Sequence, residues 1–377
     1  MLRDEIGKRI KTKYLQDRNL RIEIIDSQLD YYSEKYIFHE RKDQAYGVSP
    51  VIESEVLSCW KKLFQRRTIG VNDISESGYE KIVESVQYYS TRTGMYSTEY
   101  IPDGIFYSLI DPFLNHEDFA NQFDNKSYYP LLFHDILQPN TIALRLGGIW
   151  FTHEYEYLSI DDVYKKCQNY PEIVLKYSRD SCGGSGVFFY SNFSNDDLVN
   201  AINLSAADMI IQEPIVQHEC LARLHKKSVN SIRLVTLLSG NETFLLSSVL
   251  RMGNGDKRID NASAGGIVCG INADGTLKNV AYDKHGNTYL FHPQGGQFNG
   301  VIVPGFTEVK NLALKLQYRF PNCRMLSWDF TIDSMCKPLL IEVNMRRGEL
   351  DFHQFCNGPL FGKLFNEVIG EAIERYL

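Results

Sequence analysis

No run of roughly 18 consecutive apolar residues occurs in the 377-residue chain, which excludes an ordinary membrane-spanning helix. The N-terminal MLRDEIGKRIKTKYLQDRN is charged and lacks an apolar segment, so a secretory signal is not expected and a cytoplasmic location is. The eight cysteines are scattered, with no C-x-x-C pair and no histidine at metal-finger spacing. Zinc-finger and disulfide-framework readings fall away, leaving reduced thiols as the expectation. Positive charge is short as well: 40 Lys and Arg stand against 47 Asp and Glu, a net charge of −7. Such a balance gives no general attraction to nucleic acid or to an anionic membrane surface, and nucleic acid is set aside as a partner. A G-x-S-x-G elbow is missing and no Cys/His pair stands out, so nucleophilic catalysis has no evident carrier. What is present is 44% hydrophobic and 12% aromatic residues over a length sufficient for two or three domains with cores of their own.

The most informative stretch is CKPLLIEVN, residues 336–344. Leu339, Ile341 and Val343 alternate with Leu340, Glu342 and Asn344, the period of a strand with one apolar face. Glu342 and Asn344 thus share a face. Asp329 sits in a second strand-like run, 325–332, and antiparallel pairing through the turn at 333–337 would bring its carboxylate beside theirs. Two carboxylates and an amide carbonyl are all-oxygen ligands, suited to Mg²⁺ held against a polyphosphate rather than to zinc. Read alone, the triplet is equally a strand end whose polar groups are solvated or paired with Arg346 and Arg347.

Upstream, residues 1 to about 120 read as mostly helical. Val51, Glu55, Val56, Cys59, Trp60, Leu63 and Phe64 form one helical stripe, and Tyr79, Ile82, Val83 and Val86 form another after a cap region at Ser75–Ser77. Beyond Lys126 the texture shifts to short apolar runs broken by Pro139, Gly147 and Gly148, and Ser159 with Asp162 forms a reciprocal helix cap. In EIVLKYSRDSCGGSGVFFYS a strand over 173–177 is followed by a small-residue loop, 181–186, and a returning strand over 187–190. Gly183, Gly184 and Gly186 would let backbone N–H groups approach phosphate oxygens, and Lys176 adds a fixed positive charge. It is no Walker loop, since no Lys-Ser/Thr follows, and no dinucleotide fingerprint, since a strand follows; an ordinary hairpin turn is the plain alternative.

Next come a helix capped at Ser194, a strand over 209–215 ending in the polar Gln212-Glu213, and a strand-rich region from Val229 with a hairpin turn at Asp274-Gly275. Arg233 and Arg251 place cations on or at the end of apolar strands. Each either serves an anionic ligand or pairs with an acid in the sheet. Asn261 with Gly265 and Gly266 either donates to an anion or forms a turn. An amphipathic helix built on Val309, Leu312, Ala313, Leu316 and Phe320 leads into the Asp329 strand.

Taken in order, NK (125–126), VLKYSRDSCGGSGV, IIQEPI, SVNSIRLVT, VLRMGNGDKRIDNASAGG, LSWDF and LLIEVN resemble the ATP-grasp superfamily, and within it the sugar-transfer-associated, α-L-glutamate-ligase-related group, over about residues 124 to 361. The resemblance implies an α+β fold in which two subdomains clasp ATP, here behind a mostly helical N-terminal region. It divides the chain into 1–123 (helical cap or acceptor region), 124–170 (N-terminal part of the core), 171–216 (flap subdomain) and 217–377 (C-terminal catalytic subdomain). It makes Lys126 and Lys176 phosphate-binding lysines, with Ser181, Gly183, Gly184, Ser185 and Gly186 forming the flap. Gln212, Glu213 and Ile215 become the adenine-reading hinge, with Glu219, or His218 in its place, on the ribose. Asp329, Glu342 and Asn344 become magnesium ligands. Arg233 and Arg251, acting with Lys176, face the transferred phosphate or the activated carboxylate, near Asn261, Gly265 and Gly266.

The implied activity is an ATP- and Mg²⁺-dependent ligase joining a small-molecule carboxylate to an amine through an acyl phosphate, in surface-polysaccharide assembly, with a nucleotide-sugar or glycan precursor as the kind of partner. Its chemistry needs charge neutralisation more than acid–base catalysis, and the lysines and arginines supply it. A sugar or small-molecule kinase and a non-catalytic nucleotide-binding adaptor are the alternatives. For residues 1–123 the expectation is that their aromatic helices, with His353 and Gln354, wall the acceptor pocket.

Overall fold

The computed structural model describes residues 18–40, 50–179, 186–203 and 207–377. The chain forms two compact units. One comprises Met1–Glu117, Asn322–Met325 and Arg346–Leu377; the other comprises Asp118–Pro321 and Leu326–Met345.

The first unit is helical, with α1 (Arg18–Glu40), α2 (Pro50–Phe64) and α3 (Glu76–Thr93) as its long elements. The expected stripes are its core: Val56, Trp60, Leu63 and Phe64 on α2, and Tyr79, Ile82, Val83 and Val86 on α3, are buried. Glu55 is exposed, as a carboxylate without a buried partner should be, and the side chain of Val51 lies outside the described residues. Ser75 caps α3, its hydroxyl accepting from the Gly78 N–H at 2.9 Å. The Trp60 indole donates to the Thr98 carbonyl at 3.1 Å, and its ring stands edge-on to Phe365. Gln354 and His353 are both fully buried. The Gln354 amide exchanges two hydrogen bonds with the backbone of Ile101, at 2.8 and 2.9 Å.

The second unit holds two antiparallel sheets. The first contains β1 (Thr141–Leu146), β2 (Ile149–Phe151), β3 (Tyr157–Leu158), β4 (Glu172–Tyr177), β5 (Val187–Ser191) and β6 (Met209–Gln212), in the order β3-β2-β1-β6-β4-β5. Segments 124–170 and 171–216 therefore share one sheet, through the pairing of β1 with β6. Two helices, α4 (Ile160–Cys167) and α5 (Asn195–Asn203), bury Val163, Cys167, Leu198, Ala201 and Ile202 against it. The reciprocal cap is present: Ser159 accepts from the Asp162 N–H at 3.2 Å and donates to its carboxylate at 2.5 Å.

The second sheet contains β7 (Ser231–Ser239), β8 (Glu242–Met252), β9 (Ile267–Ile271), β10 (Leu277–Tyr282), β11 (Thr288–Tyr289), β12 (Met325–Ile332) and β13 (Pro338–Asn344), in the order β11-β10-β9-β8-β7-β12-β13. Gly275 takes φ +90° in the turn between β9 and β10, a conformation that asks for glycine. Every residue of β7 and β12 is buried, as expected for strands inside a sheet covered on both faces. Helix α6 (Phe306–Gln317) packs against β7 and β8. The buried polar groups there are satisfied in series, Trp328 Nε1 donating to Thr236 Oγ1 at 2.8 Å and Thr236 donating to Gln317 Oε1 at 2.6 Å.

Candidate active site

The platform strands pair as the sequence predicts. In β12 and β13, Asp329 lies opposite Glu342 and Ser327 opposite Asn344, so the two carboxylates and the amide share one face. The alternation does not run through the whole strand, however. The register shifts between Asp329 and Phe330, pairing Phe330 with Leu340 and leaving Ile341 as an extra residue. Leu340, expected beside Glu342, instead goes with Phe330, and both are fully buried. A bulge of this kind re-aims side chains, and here it separates the core half of β13 from its polar end.

Two cations come from β7 and β8. Arg233 grips Asp329 in a fork, Nε to Oδ1 at 2.7 Å and Nη2 to Oδ2 at 2.6 Å, and Arg251 Nη1 stands 3.5 Å from Oδ2. Thus Arg233 takes the acid-pairing alternative in this structure. Burial opposes a charge on Asp329, but the charge and hydrogen bonds of Arg233, then Arg251 and the Asn344 amide, outweigh it and hold the carboxyl below its ordinary value. Arg251 is 3% exposed and its Nε has no hydrogen-bond partner among the described residues. An orphaned donor on a buried guanidinium is costly unless an anion completes it.

Asp260 joins this group unpredicted. Its Oδ2 accepts from the Ser231 N–H at 3.2 Å and from the Ser231 hydroxyl. Ser231 is the cross-strand partner of Arg251. Burial pushes the Asp260 carboxyl up, with Arg251 the strongest opposing influence. Gly266 closes the loop behind it, since a Cβ there would lie 2.5 Å from the Asp260 carbonyl. Asn261 proves to be a turn residue: its Oδ1 accepts from the N–H and hydroxyl of Ser263, both at 3.0 Å, and Gly265 ends that turn at φ +94°.

Two further cations come from the first sheet and its leading turn. Lys126 is placed by its neighbours: its N–H donates to the Ser178 carbonyl at 2.9 Å, and the Ser127 and Ser178 hydroxyls bond to one another. Its ammonium lies 2.6 Å from Glu342 Oε1. Burial works against that ammonium, but Glu342, Asp124 and Asp329 prevail and the group is raised above its usual range. Lys176, near the end of β4, has no such partner among the described residues. Burial and then the like charge of Lys126 push it down to about 8. Four cations thus surround two opposed carboxylates.

Of the hinge residues, Gln212 directs its amide to Pro139 and Thr141, at 3.4 Å each. Glu213 accepts from Asn140 Nδ2 at 3.0 Å, and its N–H donates to the Asn140 carbonyl. Ile215 is half-buried. Glu219 is exposed and pairs with Arg223 at 3.1 Å, while the His218 ring accepts from the Cys220 N–H at 3.2 Å. Both alternatives for the ribose residue therefore serve a local helix start. In the flap, Gly186 accepts from the Tyr177 N–H at 2.9 Å, and Ser181, Gly183, Gly184 and Ser185 lie outside the described residues. Arg346 is taken by Asp111 and Glu117, at 3.4 and 3.5 Å, within the helical unit.

The donor set fits a hard divalent cation. Asp329, held anionic, keeps lone pairs beyond its arginine bonds, and Glu342 and Asn344 add oxygens on the same face. It is an incomplete shell: among the described residues no group of three or more His, Cys, Asp and Glu side chains is arranged to hold a metal. Mg²⁺ at such a place takes its remaining oxygens from phosphate and water.

The sequence model for sugar-transfer associated ATP-grasp proteins matches residues 108–368. The chain belongs to that family, and its α+β fold is the ATP-grasp fold preceded by a helical region. No curated protein matches it in sequence. Among solved structures it is similar to a D-alanine–D-alanine ligase from Bacillus anthracis, with 14% identity, a TM-score of 0.37, and coverage of 67% of this chain and 66% of that one. It is also similar to the N5-carboxyaminoimidazole synthase from Aspergillus clavatus, with 12% identity, a TM-score of 0.37, and coverage of 68% and 52%. For an L-amino acid ligase from Bacillus licheniformis the values are 13%, 0.38, 67% and 48%. The chain spans less than two thirds of each neighbour's own length. Among the described residues no helix is long and apolar enough to cross a membrane.

Proposed function

We propose that the chain is an ATP- and Mg²⁺-dependent ligase that phosphorylates a carboxylate and passes the acyl group to an amine, with a sugar acid or a related glycan precursor as the carboxylate. The observation that carries this reading is the convergence of Lys126, Lys176, Arg233 and Arg251 on the opposed Asp329–Glu342 pair. A γ-phosphoryl group in flight carries charge on three equatorial oxygens, and its transfer is accelerated mainly by positioning and charge neutralisation. Asp329, Glu342 and Asn344 would hold Mg²⁺, which would supply further neutralisation of that charge.

The other steps belong to the chain's own residues. Lys126 and Lys176 bind and orient the phosphates. The orphaned Nε of Arg251 suits it to an oxygen of the carboxylate or of the transferred phosphoryl group. The carboxylate oxygen attacks phosphorus, the bond to the ADP oxygen breaks, and the resulting acyl phosphate loses phosphate when the amine nitrogen attacks its carbonyl carbon. A closed flap would exclude water from that intermediate.

The reading is tested by thermal shift with ATP, GTP and ADP, with and without Mg²⁺, on the wild type and on Asp329→Asn/Glu342→Gln. A Mg²⁺-dependent, ATP-selective rise in melting temperature that the double variant loses is the expected result. No rise for any nucleotide in the wild type overturns it. ADP release with sugar acids only when an amine is present separates a ligase from a kinase.

A pH dependence follows from Lys176. Its ammonium is charged below about 8 and neutral above, so nucleotide affinity is expected to fall as the pH rises through about 8. Lys176→Arg is expected to flatten the fall, because a guanidinium keeps its proton throughout. Calorimetric titrations from about pH 7 to about pH 10 check this, and a wild-type affinity that holds constant over the range would contradict it.

A further inference from the structure

Strand β13 carries two of the three platform side chains, yet it is the last strand of its sheet. An edge strand has one side of its backbone without a ladder partner, and those groups must be bonded if they are buried. Two contacts serve this side. The Leu340 N–H donates to the Leu137 carbonyl at 2.9 Å. Val343, the fully buried residue between Glu342 and Asn344, gives both of its backbone groups to one side chain. The Tyr129 hydroxyl donates to the Val343 carbonyl at 3.1 Å and accepts from the Val343 N–H at 3.1 Å.

We infer that Tyr129 is a positioning residue of the metal platform, its hydroxyl fixing the backbone of β13 so that Glu342 and Asn344 face Asp329. The inference rests on the ligase reading for the platform's role. Three observations bear on it. A phenol is donor and acceptor at one atom, so it can stand in for a missing strand at a single residue, which phenylalanine cannot do. Next, β13 needs such a fixing point, because the bulge at Ile341 interrupts its ladder with β12 just before Glu342. Finally, Tyr129 is itself held: it is buried, stands edge-on to Phe133 at 5.4 Å, and lies one helical turn beyond Lys126, whose ammonium meets Glu342. One short segment thus meets both the side chain of Glu342 and the backbone beside it. Burial raises the phenol well above its ordinary range, so both hydrogen bonds persist across any working pH.

The test uses Tyr129→Phe, which keeps the ring and removes both bonds, with Phe133→Leu as a packing control. Mn²⁺ binding is read by electron paramagnetic resonance in the presence of a non-hydrolysable ATP analogue, and amide exchange is followed at residues 341–344. Removing partners that orient metal ligands costs about ten- to a hundredfold in metal affinity, and that loss is expected for Tyr129→Phe while metal-free analogue binding stays within about twofold. Phe133→Leu is expected to lower the melting temperature without changing Mn²⁺ affinity. Unchanged Mn²⁺ affinity in Tyr129→Phe overturns the inference alone. Should Tyr129→Phe not fold, rapid exchange of the Val343 amide in the wild type overturns it, and slow exchange supports it. A wild type that binds no analogue removes the ligase reading itself and the positioning role with it.

Discussion

Asp329→Ala will destabilise the two-sheet unit by about 3–5 kcal/mol, the cost of leaving one member of a buried ion pair without its counter-charge. Arg233 is 6% exposed and spends Nε and Nη2 on this carboxylate, with Arg251 leaning on the same oxygen. Without Asp329, two buried guanidinium groups face each other across a cavity. The charge itself is the cause, so removing both partners should cost less: Arg233→Met/Asp329→Leu fills the site with apolar volume and is expected to recover the part of the stability owed to Arg233, with Asp260 left as the counter-charge of Arg251. Urea unfolding of the wild type, the single variant and the double variant reads the difference. A midpoint for Asp329→Ala equal to that of the wild type would mean that the pair is not enclosed as described. Nucleotide-dependent stabilisation is expected to vanish in both variants, so the double variant separates loss of the platform from loss of the fold.

That pairing was beyond the reach of the sequence for a reason that applies to most of what was missed. Local patterns report neighbours along the chain, and they did so well: the β4–β5 hairpin around the glycine loop, the caps at Ser75, Ser159 and Ser194, and the turn joining β12 to β13 all lie within a few residues of their signals. Arg233 and Asp329 are 96 residues apart and meet only because β7 and β12 are adjacent in the sheet. Tyr129 and Val343 are 214 apart. An aromatic side chain whose value lies in its hydroxyl looks, in sequence, like any ring on an apolar stretch. The bulge at Ile341 escaped for a different reason: a single inserted residue leaves the hydrophobic alternation intact on paper while reversing the faces on one side of it. Asp260 stood inside a quoted motif, but nothing local marks a loop acid that bonds Ser231 and faces Arg251. Glu219 had a suitable offset from the hinge, and the structure gives its carboxylate to Arg223 on the surface.

Lys126→Met is expected to let the platform take a divalent cation without nucleotide, which the wild type should not do. Each platform acid already holds a protein cation, Glu342 the ammonium of Lys126 at 2.6 Å and Asp329 the fork of Arg233. Counting Lys126, Lys176, Arg233 and Arg251 against Asp124, Asp329, Glu342 and Asp260, the charges balance, so a divalent cation meets no net attraction there and finds its ligands occupied. A polyphosphate reverses both conditions, because its oxygens compete for Lys126 and release Glu342. Metal and nucleotide should therefore bind with strong positive coupling, and coupling of this kind is reciprocal. Methionine keeps the length of the stem and deletes the charge, leaving Glu342 open. Mn²⁺ affinity without nucleotide should then rise by about tenfold or more, roughly 1.4 kcal/mol for each factor of ten. Over the same change nucleotide affinity should fall, because a phosphate partner is gone, so the two ligands would move in opposite directions. A general loosening of the fold would weaken both. Calorimetric Mn²⁺ titrations with and without a non-hydrolysable analogue measure the four affinities, and a wild type that binds Mn²⁺ equally well in either condition would show that Lys126 does not guard the site.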